Sequence, residues 1–151
     1  MPVATVEPVA QITDEVVAAF ERLLPQLSSS ARVHRQLLEQ LVDHDATVLF
    51  LGRLDGQIVG ATTLVTYPIP TGWRAHIDDV VVDTSARGHG VGEALVSAAL
   101  TEARARGVRT VDLTSRPSRD AAIRLYQRLG FIVRDSHVYR YTARHGPEPI
   151  G

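Results

Sequence analysis

The sequence predicts a mixed α/β domain of the α+β type, with helices packed on a sheet that contains both antiparallel and parallel strands. Two segments near the start have apolar residues at helical spacing, and two apolar strands separated by a tight turn follow them. A third long strand then leads through a glycine-rich turn into another helix and strand. A strand, helix and strand in succession form a right-handed crossover, so this last part of the sheet should be parallel.

The first half of the chain contains a short strand, two helices and a β-hairpin, each indicated by its apolar period and its turn residues. Thr13 can cap the first helix, because its hydroxyl can accept a bond from an unpaired N–H of the first turn. The predicted elements are a strand at Val3 to Val9, a helix from Thr13 to Leu27, a helix from about Ala31 to Val42, and a hairpin of Ala46 to Arg53 and Ile58 to Tyr67 around the turn Leu54-Asp55-Gly56-Gln57.

The second half alternates strands and helices and ends in short strands. After a loop with Pro68, Pro70 and Gly72, the predicted elements are a strand at Trp73 to Asp83, a helix at Gly90 to Arg106, a strand at Val108 to Thr114, a helix opened by Pro117 and Ser118 and running to Leu129, and strands at Phe131 to Val133 and Val138 to Thr142. The order is therefore β-α-α-β-β-β-α-β-α-β-β. Residues 144–151, with two prolines and two glycines, are expected to fray.

Composition limits the classes of function. The 151 residues are 44% hydrophobic, which is enough for one globular domain spanning 1–151. The formal net charge of -1 gives no bulk field for nucleic acid or an anionic membrane, so neither is expected as a partner. The absence of cysteine agrees with a reducing compartment, and the start lacks a long apolar run, so a cytoplasmic location is expected. The scattered histidines predict no metal site.

The stretch from Val80 to Gly92 is the most informative part of the sequence. An apolar strand stops at polar residues, glycines follow at every second position from Gly88, and a helix begins directly behind them. Unpaired N–H groups and the peptide dipole at a helix start attract phosphate, and Arg87 adds a cation. The glycine spacing fits neither a dinucleotide-binding fingerprint nor a Walker loop. A turn that only joins strand to helix is the structural alternative.

Two motifs resemble one protein family. The residues Arg87-Gly88-His89-Gly90-Val91-Gly92 fit the R/Q-x-x-G-x-G/A signature of the GCN5-related N-acetyltransferase (GNAT) superfamily. About 35 residues later, Ala121 to Phe131 is similar to the second landmark of that family, A-x-x-L-Y-x-x-x-G-F. The resemblance implies the acyl-CoA N-acyltransferase fold and transfer of acetyl from acetyl-CoA, as cosubstrate without a metal, to a primary amine of a small molecule or protein.

The resemblance also implies which residues bind the coenzyme. The glycine turn would hold the pyrophosphate through backbone N–H groups, and the strand before it would bond the pantetheine arm. Family members often carry asparagine near the start of the second-landmark helix, and Ser118 is the substitute here as cap and contact. The implied cofactor-binding residues are Val80, Val81, Val82, Arg87, Gly88, His89, Gly90, Val91, Gly92, Ser118 and Tyr126.

Three residues are candidates for catalysis. Tyr126 matches the landmark tyrosine, whose phenol would hydrogen-bond or protonate the leaving thiolate, with a core aromatic role as the alternative. Because bases in the family often come from this strand, the resemblance makes Asp78 and then His76 candidates for the base that deprotonates the amine, with substrate binding or a strand-end hydrogen bond as the alternative. Strict strand alternation predicts that His76 and Asp78 share a face with Val80 and Val82, while Asp79 points the other way.

A second class of function is a noncatalytic acyl-CoA-binding module that kept the phosphate cradle and lost the chemistry. Tyr126 and the acid-bearing strand favour the enzyme. Dimers are common in the family, so a homodimer is also open to test. The sequence does not identify the amine acceptor.

Overall fold

The computed structural model describes residues 3–116 and 118–143, which form five strands and four helices around one mixed sheet. The mixed α/β class is therefore confirmed. The strands are β1 (Thr5–Pro8), β2 (Thr47–Leu54), β3 (Gln57–Ile69), β4 (Gly72–Val82) and β5 (Thr110–Asp112), and the helices are α1 (Asp14–Leu27), α2 (Arg35–Asp43), α3 (Val91–Ala105) and α4 (Asp120–Arg128).

The sheet has the strand order β1-β2-β3-β4-β5. The first four strands pair antiparallel with their neighbours, and β5 pairs parallel with β4 after the crossover through α3. Asp55 and Gly56, with φ of 49° and 79°, make the tight turn between β2 and β3. Positive φ at both central positions matches the twist of a β-hairpin, and Asp-Gly is a preferred pair there.

Helices cover both faces of the sheet. On one face, α3 buries Val91, Leu95 and Val96 against apolar side chains of β2, β3 and β4. On the other face, α1 buries Val16, Phe20 and Leu23, and α2 contributes partly buried leucines at the edge of the same cluster. The predicted cap of α1 is confirmed, since the Val16 N–H donates to Thr13 Oγ1 at 3.3 Å. The helices α1 and α3 thus each bury one apolar stripe and leave the opposite side in water.

Three predictions about elements were wrong. The second helix begins at Arg35 rather than Ala31, because residues 31–34 are not helical and the residue before the helix, His34, has an extended backbone. The last helix begins at Asp120, and its cap position is Arg119, so Ser118 is not its cap. No strand is assigned at Phe131 to Val133 or Val138 to Thr142, since no backbone ladder joins these residues to the rest of the described chain.

The proposed frayed tail, 144–151, lies outside the described residues, as do Met1, Pro2 and Pro117. Among the helices of the described part, none is long and apolar enough to cross a membrane.

Candidate active site

The turn between β4 and α3 is built by local hydrogen bonds. Asp83 directly follows β4, and its Oδ1 accepts bonds from the N–H and the hydroxyl of Ser85 at 3.1 and 3.0 Å. These bonds, together with Arg22 of α1 at 3.9 Å, hold the pKa of the Asp83 carboxyl below its usual value. Gln26 of α1 accepts a bond from the N–H of Thr84 at 2.9 Å. The entrance to the turn is therefore fixed to the body of the protein by α1.

Backbone conformation requires glycine at two of the three glycine positions of the turn. Gly88 and Gly90 have φ of 84° and 78°, which is left-handed backbone that L side chains rarely adopt. A Cβ at either position would meet no heavy atom of the described residues within 4 Å, so conformation rather than crowding requires glycine there. Gly92 is helical, and a Cβ on it would lie 3.4 Å from Leu125 Cδ1. That distance is an ordinary van der Waals contact, so neither backbone conformation nor crowding by α4 requires glycine at this position.

The start of α3 is open to solvent and carries unpaired donors. Gly90 is the cap residue and offers no side-chain acceptor, so the N–H groups of the first turn are not bonded by a cap. Arg87, Gly88, His89 and Gly90 are all exposed, and His89 Nδ1 lies 3.1 Å from the Ala86 carbonyl oxygen. Exposed N–H groups at a helix start, with an arginine beside them, can bind phosphate.

The edge of β4 that faces β5 is only partly paired. Pairing between the two strands ends at His76 opposite Asp112. From Ile77 to Val82, β4 pairs with β3 on its other side and has no β5 partner within residues 3–116 and 118–143. Backbone donors and acceptors therefore remain available along this edge, immediately before the glycine turn. An extended ligand rich in amides can add to such an edge like a strand.

A β-bulge at Asp79 interrupts the alternation of β4. Ala61 pairs with Val81 and Thr63 with Asp78, so Thr62 stands opposite two residues, Asp79 and Val80. Asp79 takes the left-handed φ of 55°, and the Thr62 hydroxyl donates to the carbonyl of Asp78 at 3.0 Å. Bulges are frequent beside active sites, where they redirect side chains.

Because of the bulge, the prediction of which β4 side chains share a face of the sheet was wrong. Ile77, Val80 and Val82 belong to the cluster beneath α3, whereas Val81 belongs to the cluster beneath α1. His76 and Asp78 alternate with Ile77, so they lie on the α1 face together with Val81 rather than with Val80 and Val82. The extra residue changes the face of every later side chain, which strict alternation could not anticipate.

His76 and Asp78 are in contact on that face. Asp78 Oδ2 lies 3.1 Å from His76 Nδ1, and the side chain of His76 is 29% exposed against 52% for Asp78. In the tautomer with the proton on Nδ1, the imidazole donates to the carboxylate and keeps the lone pair of Nε2 free to accept a proton. Asp78 can therefore orient the imidazole of His76 so that it acts as a base.

Asp79 borders a cavity between the sheet and the first two helices. The cavity measures about 90 Å³, and most of its lining is apolar. Crowding by neighbouring atoms desolvates the Asp79 carboxyl and, with the negative charge of Asp78, raises its pKa above the usual value, although the residue as a whole is exposed. The lining residues are Phe20, Leu24, Leu27, Arg32, His34, Leu37, Leu38, Leu41, Leu49, Ala61, Thr62, Thr63, Asp79 and Val81.

Sequence reasoning did not select Asp79 or Arg32 for this cavity. Asp79 was assigned to the opposite face from His76 and Asp78 by alternation, and nothing in the local pattern around Arg32 sets it apart from other surface arginines. The adjacent pair Asp78-Asp79 inside a strand was the one available signal, because aspartate is unfavourable in a regular strand and neighbouring carboxylates raise each other's pKa.

Tyr126 lies on α4, which is connected to the start of α3. Arg128 Nη2 lies 3.2 Å from Glu93 Oε1, and Leu125 lies over Gly92. The ring of Tyr126 meets Phe131 edge to face at a centroid distance of 5.8 Å. Burial raises the pKa of its phenol, with Arg119 acting in the opposite direction. The Tyr126 hydroxyl has no hydrogen-bond partner in the part of the chain that the structure describes.

Two features lie apart from this arrangement. Ser118 is exposed in the turn before α4, and no bond ties it to the cradle among the described residues. A larger cavity, about 390 Å³, lies at the other end of α3, where Trp73 and Arg106 line it. A helix of 15 residues separates that cavity from the cradle by about 22 Å. It therefore takes no part in the site described above.

The chain matches the family model described as Acetyltransferase (GNAT) family over residues 10–131. It is 40% identical over 88 residues to the glucosamine 6-phosphate N-acetyltransferase of Trypanosoma brucei brucei, covering 56% of this chain and 58% of that protein. It is 38% identical over 87 residues to a mycothiol acetyltransferase of Thermomonospora curvata, covering 58% of this chain and 28% of that protein.

The crystal structure of a Trypanosoma brucei acetyltransferase superposes with a TM-score of 0.74 at 25% identity, covering 92% of this chain and 99% of that one. By sequence, the chain matches only part of the length of the two curated relatives: little more than half of the Trypanosoma brucei brucei protein and a smaller share of the Thermomonospora curvata protein. The family match covers the glycine turn, the bulged strand and the helix of Tyr126 together. The chain belongs to the GNAT acetyltransferase family.

Proposed function

We propose that this chain is an N-acetyltransferase that moves the acetyl group of acetyl-CoA directly to a primary amine in a ternary complex. The observation that carries the proposal is the continuity of the unpaired β4 edge with the glycine turn. Coenzyme A offers an amide-rich arm and a pyrophosphate in the same linear order. One extended ligand would therefore satisfy the backbone groups of Val80 to Val82 and the donors of Arg87 to Gly92.

The acceptor would approach from the α1 face. The cavity under α1 and α2 reaches Asp79 at the bulge, next to the section of β4 where the pantetheine would lie. At about 90 Å³ the cavity is small beside typical ligand sites of about 300–1,000 Å³, so it fits the reacting end of an acceptor rather than a whole molecule. Asp79 would attract an ammonium group, and Arg32 would attract an anionic one.

The chemistry requires an amine that loses a proton and a thiolate that leaves. The amine nitrogen attacks the thioester carbonyl carbon, a C–N bond forms, and the C–S bond breaks. His76, oriented by Asp78, would take the amine proton at Nε2, directly or through a water molecule. Asp78 would then be a positioning residue rather than the base itself.

Tyr126 would stabilise the departing sulfur. Its raised pKa keeps the phenol protonated at neutral pH, so it can donate a hydrogen bond. A thiol with a pKa of about 8.5 is a stronger acid than such a phenol, which makes full proton transfer to the thiolate uphill. Hydrogen bonding to the developing thiolate is therefore the larger part of the proposed role.

The direct test is thiol release from acetyl-CoA over a panel of amines: glucosamine 6-phosphate, glucosamine, a polyamine and a peptide with a free N-terminus. Coenzyme binding is measured in parallel by calorimetry. Turnover on one class of amine supports the proposal. Tight coenzyme binding without turnover on any amine would favour the noncatalytic binding module, and absence of coenzyme binding would overturn both functions.

The charges around the cavity favour an acceptor that carries an anion as well as an amine. The named activity of the Trypanosoma brucei brucei relative is consistent with such an acceptor. Replacing Arg32 with glutamine should raise the KM for glucosamine 6-phosphate and leave that for glucosamine unchanged. Arg104 on α3 is an exposed arginine on the other face of the sheet, and Arg104→Gln is the matched control. If Arg32→Gln changed the KM for glucosamine 6-phosphate and the KM for glucosamine equally, a contact between Arg32 and the phosphate would be excluded.

A further inference from the structure

The larger cavity, of about 390 Å³, lies where the sheet continues past the end of α3. Leu64 and Ala75 belong to the cluster that packs beneath the helix. Thr66 and Pro68 alternate with Leu64 along β3, and Trp73 alternates with Ala75 along β4, so all of them lie on one face of the sheet. The volume falls in the range of about 300–1,000 Å³ that is typical of small-molecule sites.

The turn between α2 and β2 forms one wall of this cavity. The N–H of Ala46 donates to His44 Nδ1 at 3.0 Å, and the N–H of Thr66 donates to the Ala46 carbonyl at 2.8 Å. Arg106 Nη1 donates to the Asp45 carbonyl at 2.8 Å and to the Thr66 hydroxyl at 3.2 Å. These bonds fix the turn to β3 and to the end of α3, so the wall is held in place without a ligand.

Trp73 offers an accessible aromatic surface to the cavity. Its backbone is fixed, because it pairs with Pro68 and its carbonyl accepts a bond from the N–H of Arg109 at 2.9 Å. The residue is nevertheless 48% exposed. Indole rings bind apolar groups, and their π faces attract cations more strongly than those of other aromatic side chains.

The charged groups that line the cavity favour a cation. Asp45 is exposed, and its carboxylate has no ion pair in the part of the chain that the structure describes. The positive charge of Arg106 is offset by Glu102, since Arg106 Nε donates to Glu102 Oε2 at 2.8 Å. The cavity also lies at the C-terminal end of α3, where the helix dipole is negative.

Two other arginines near Trp73 lie on the opposite face of the sheet. Arg74 is the neighbour of Trp73 on β4, and its Nη2 donates to Thr71 Oγ1 at 2.9 Å. Arg109 packs on the Gly72 backbone, also a neighbour of Trp73, and its Nη1 donates to the Thr71 carbonyl at 2.9 Å. Neither guanidinium lines the cavity, so neither opposes a cation there.

We propose that this cavity is a second ligand site, separate from the acetyl-transfer site, and that it binds a small organic cation with an apolar body. The cationic group would lie between the ring of Trp73 and the carboxylate of Asp45, and the apolar body would contact Pro68. The inference does not depend on the proposed function, because the cavity shares no residue with the glycine turn, the bulge or α4.

The first experiment uses Trp73 as its own reporter, since it is the one tryptophan in the sequence. Benzyltrimethylammonium is titrated at constant ionic strength, because a quaternary nitrogen carries the charge and has no lone pair to acetylate. A saturable change in fluorescence is expected, with a Kd of about 10 mM or below.

Two further probes with the same ring test the preference for a cation. Benzyl alcohol is neutral and should bind at least about 5-fold more weakly, and the anion benzoate should give no saturable change. Equal responses to all three probes, or no saturable response to the cation, would overturn the proposal.

The second experiment uses two matched pairs of variants. Asp45→Asn should raise the Kd of the cation by about 5-fold. Asp43→Asn should leave it unchanged, since Asp43 is exposed at the end of α2 and does not line the cavity. Followed by calorimetry, Trp73→Leu should abolish measurable binding, whereas Tyr67→Leu, on the other face of β3, should not. Equal effects within either pair, in variants that unfold at the wild-type temperature, would contradict the assignment.

The third experiment separates this site from the coenzyme. CoA is expected to leave the titration of the cation unchanged, because α3, about 22 Å long, lies between the cavity and the glycine turn. Displacement of the cation by CoA would assign the cavity to the coenzyme and exclude a second site. A chain that binds the cation but neither CoA nor any acetyl acceptor would overturn the proposed function and support the second site.

Discussion

At the scale of single residues, Tyr126 carries the most specific chemical prediction. Tyr126→Phe removes the hydroxyl and keeps the ring that packs on Phe131. We expect kcat to fall by about 10²-fold or more, as when a hydrogen-bond donor to a developing negative charge is removed, with little change in the KM for acetyl-CoA or in stability. Steady-state kinetics and thermal unfolding measure these quantities.

Tyr67→Phe is the control for that substitution, because Tyr67 is an exposed tyrosine on β3. Its kinetics should match those of the wild-type chain. An unchanged kcat in Tyr126→Phe would remove the phenol from the mechanism and return Tyr126 to a packing role.

Asp79 combines an unfavourable backbone conformation with an unfavourable charge. Its pKa is raised in the folded state, so folding is favoured when the carboxyl is protonated and stability falls as pH rises from the unfolded value near 3.8 through the raised pKa. Asp79→Asn removes the charge and keeps a side chain that tolerates left-handed backbone. We expect the variant to unfold at a higher temperature than the wild type at pH 7.

The difference should disappear at a pH well below 3.8, where both chains are neutral at this position. Asp55→Asn is the control, because Asp55 has a similar φ of 49° in the β2–β3 turn but is remote from the bulge. If Asp79 contacts the acceptor, Asp79→Asn is also expected to raise the KM of the amine. If Asp79→Asn were less stable than the wild type at pH 7, the charge of Asp79 would not be unfavourable in the folded state and this prediction would be wrong.

At the scale of elements, the junction of β4 and α3 is the place where we propose that the pyrophosphate binds. Gly90 and Gly107 make a matched pair: their φ values are 78° and 75°, and a Cβ on either would meet nothing among the described residues within 4 Å. Gly90 begins α3 and Gly107 follows its end. Alanine at either position should cost about 1–2 kcal/mol of stability for the left-handed backbone.

Only Gly90→Ala should also weaken coenzyme binding, because relaxation of the backbone there would turn the N–H groups of the cradle away from the pyrophosphate. Calorimetric titration with CoA compares the two variants. Equal loss of binding in Gly90→Ala and Gly107→Ala would assign the effect to stability and not to the cradle.

At the scale of the whole molecule, an ion-pair network connects distant parts of the chain. Arg53 of β2 contacts Glu7 of β1, and its guanidinium bonds Glu15 of α1 at 2.8 Å. Hydrogen bonding to Arg53 lowers the pKa of Glu15 below its ordinary value of 4.5. The contribution of Glu15 to stability is therefore present above pH 4.5 and is lost as pH falls through the lowered pKa.

Glu15→Gln should lower the unfolding temperature slightly at pH 7 and not at a pH below the lowered pKa. The effect should also shrink in high salt, because the pair is exposed. Glu21→Gln, an exposed glutamate on the same helix, is the control. A difference between Glu15→Gln and wild type that persisted at low pH would indicate a packing effect instead.

Much of the architecture could be predicted because it depends on short-range signals. The Thr13 cap, the Asp55-Gly56 turn, and the strand, glycine turn and helix from Val80 onward are each written in a few neighbouring residues. Alternation failed at Asp79, since a bulge is decided by how two strands meet and not by the residues of one. The last two predicted strands failed for a related reason, because β-type composition makes a strand only where its backbone pairs with another strand, and among the described residues neither segment pairs with the edge strand β5.

The sequence by itself determined the family, the order of the elements confirmed up to α4, and the strand, glycine turn and helix start that we propose bind an anion, because local periods, capping residues and glycine spacing encode these directly. The tertiary structure alone decided which face of the sheet His76 and Asp78 occupy, that Asp79 borders the cavity, and that the described residues after Phe131 pair with no strand. Those properties depend on contacts between segments far apart in the chain, whose register and partners no local pattern specifies.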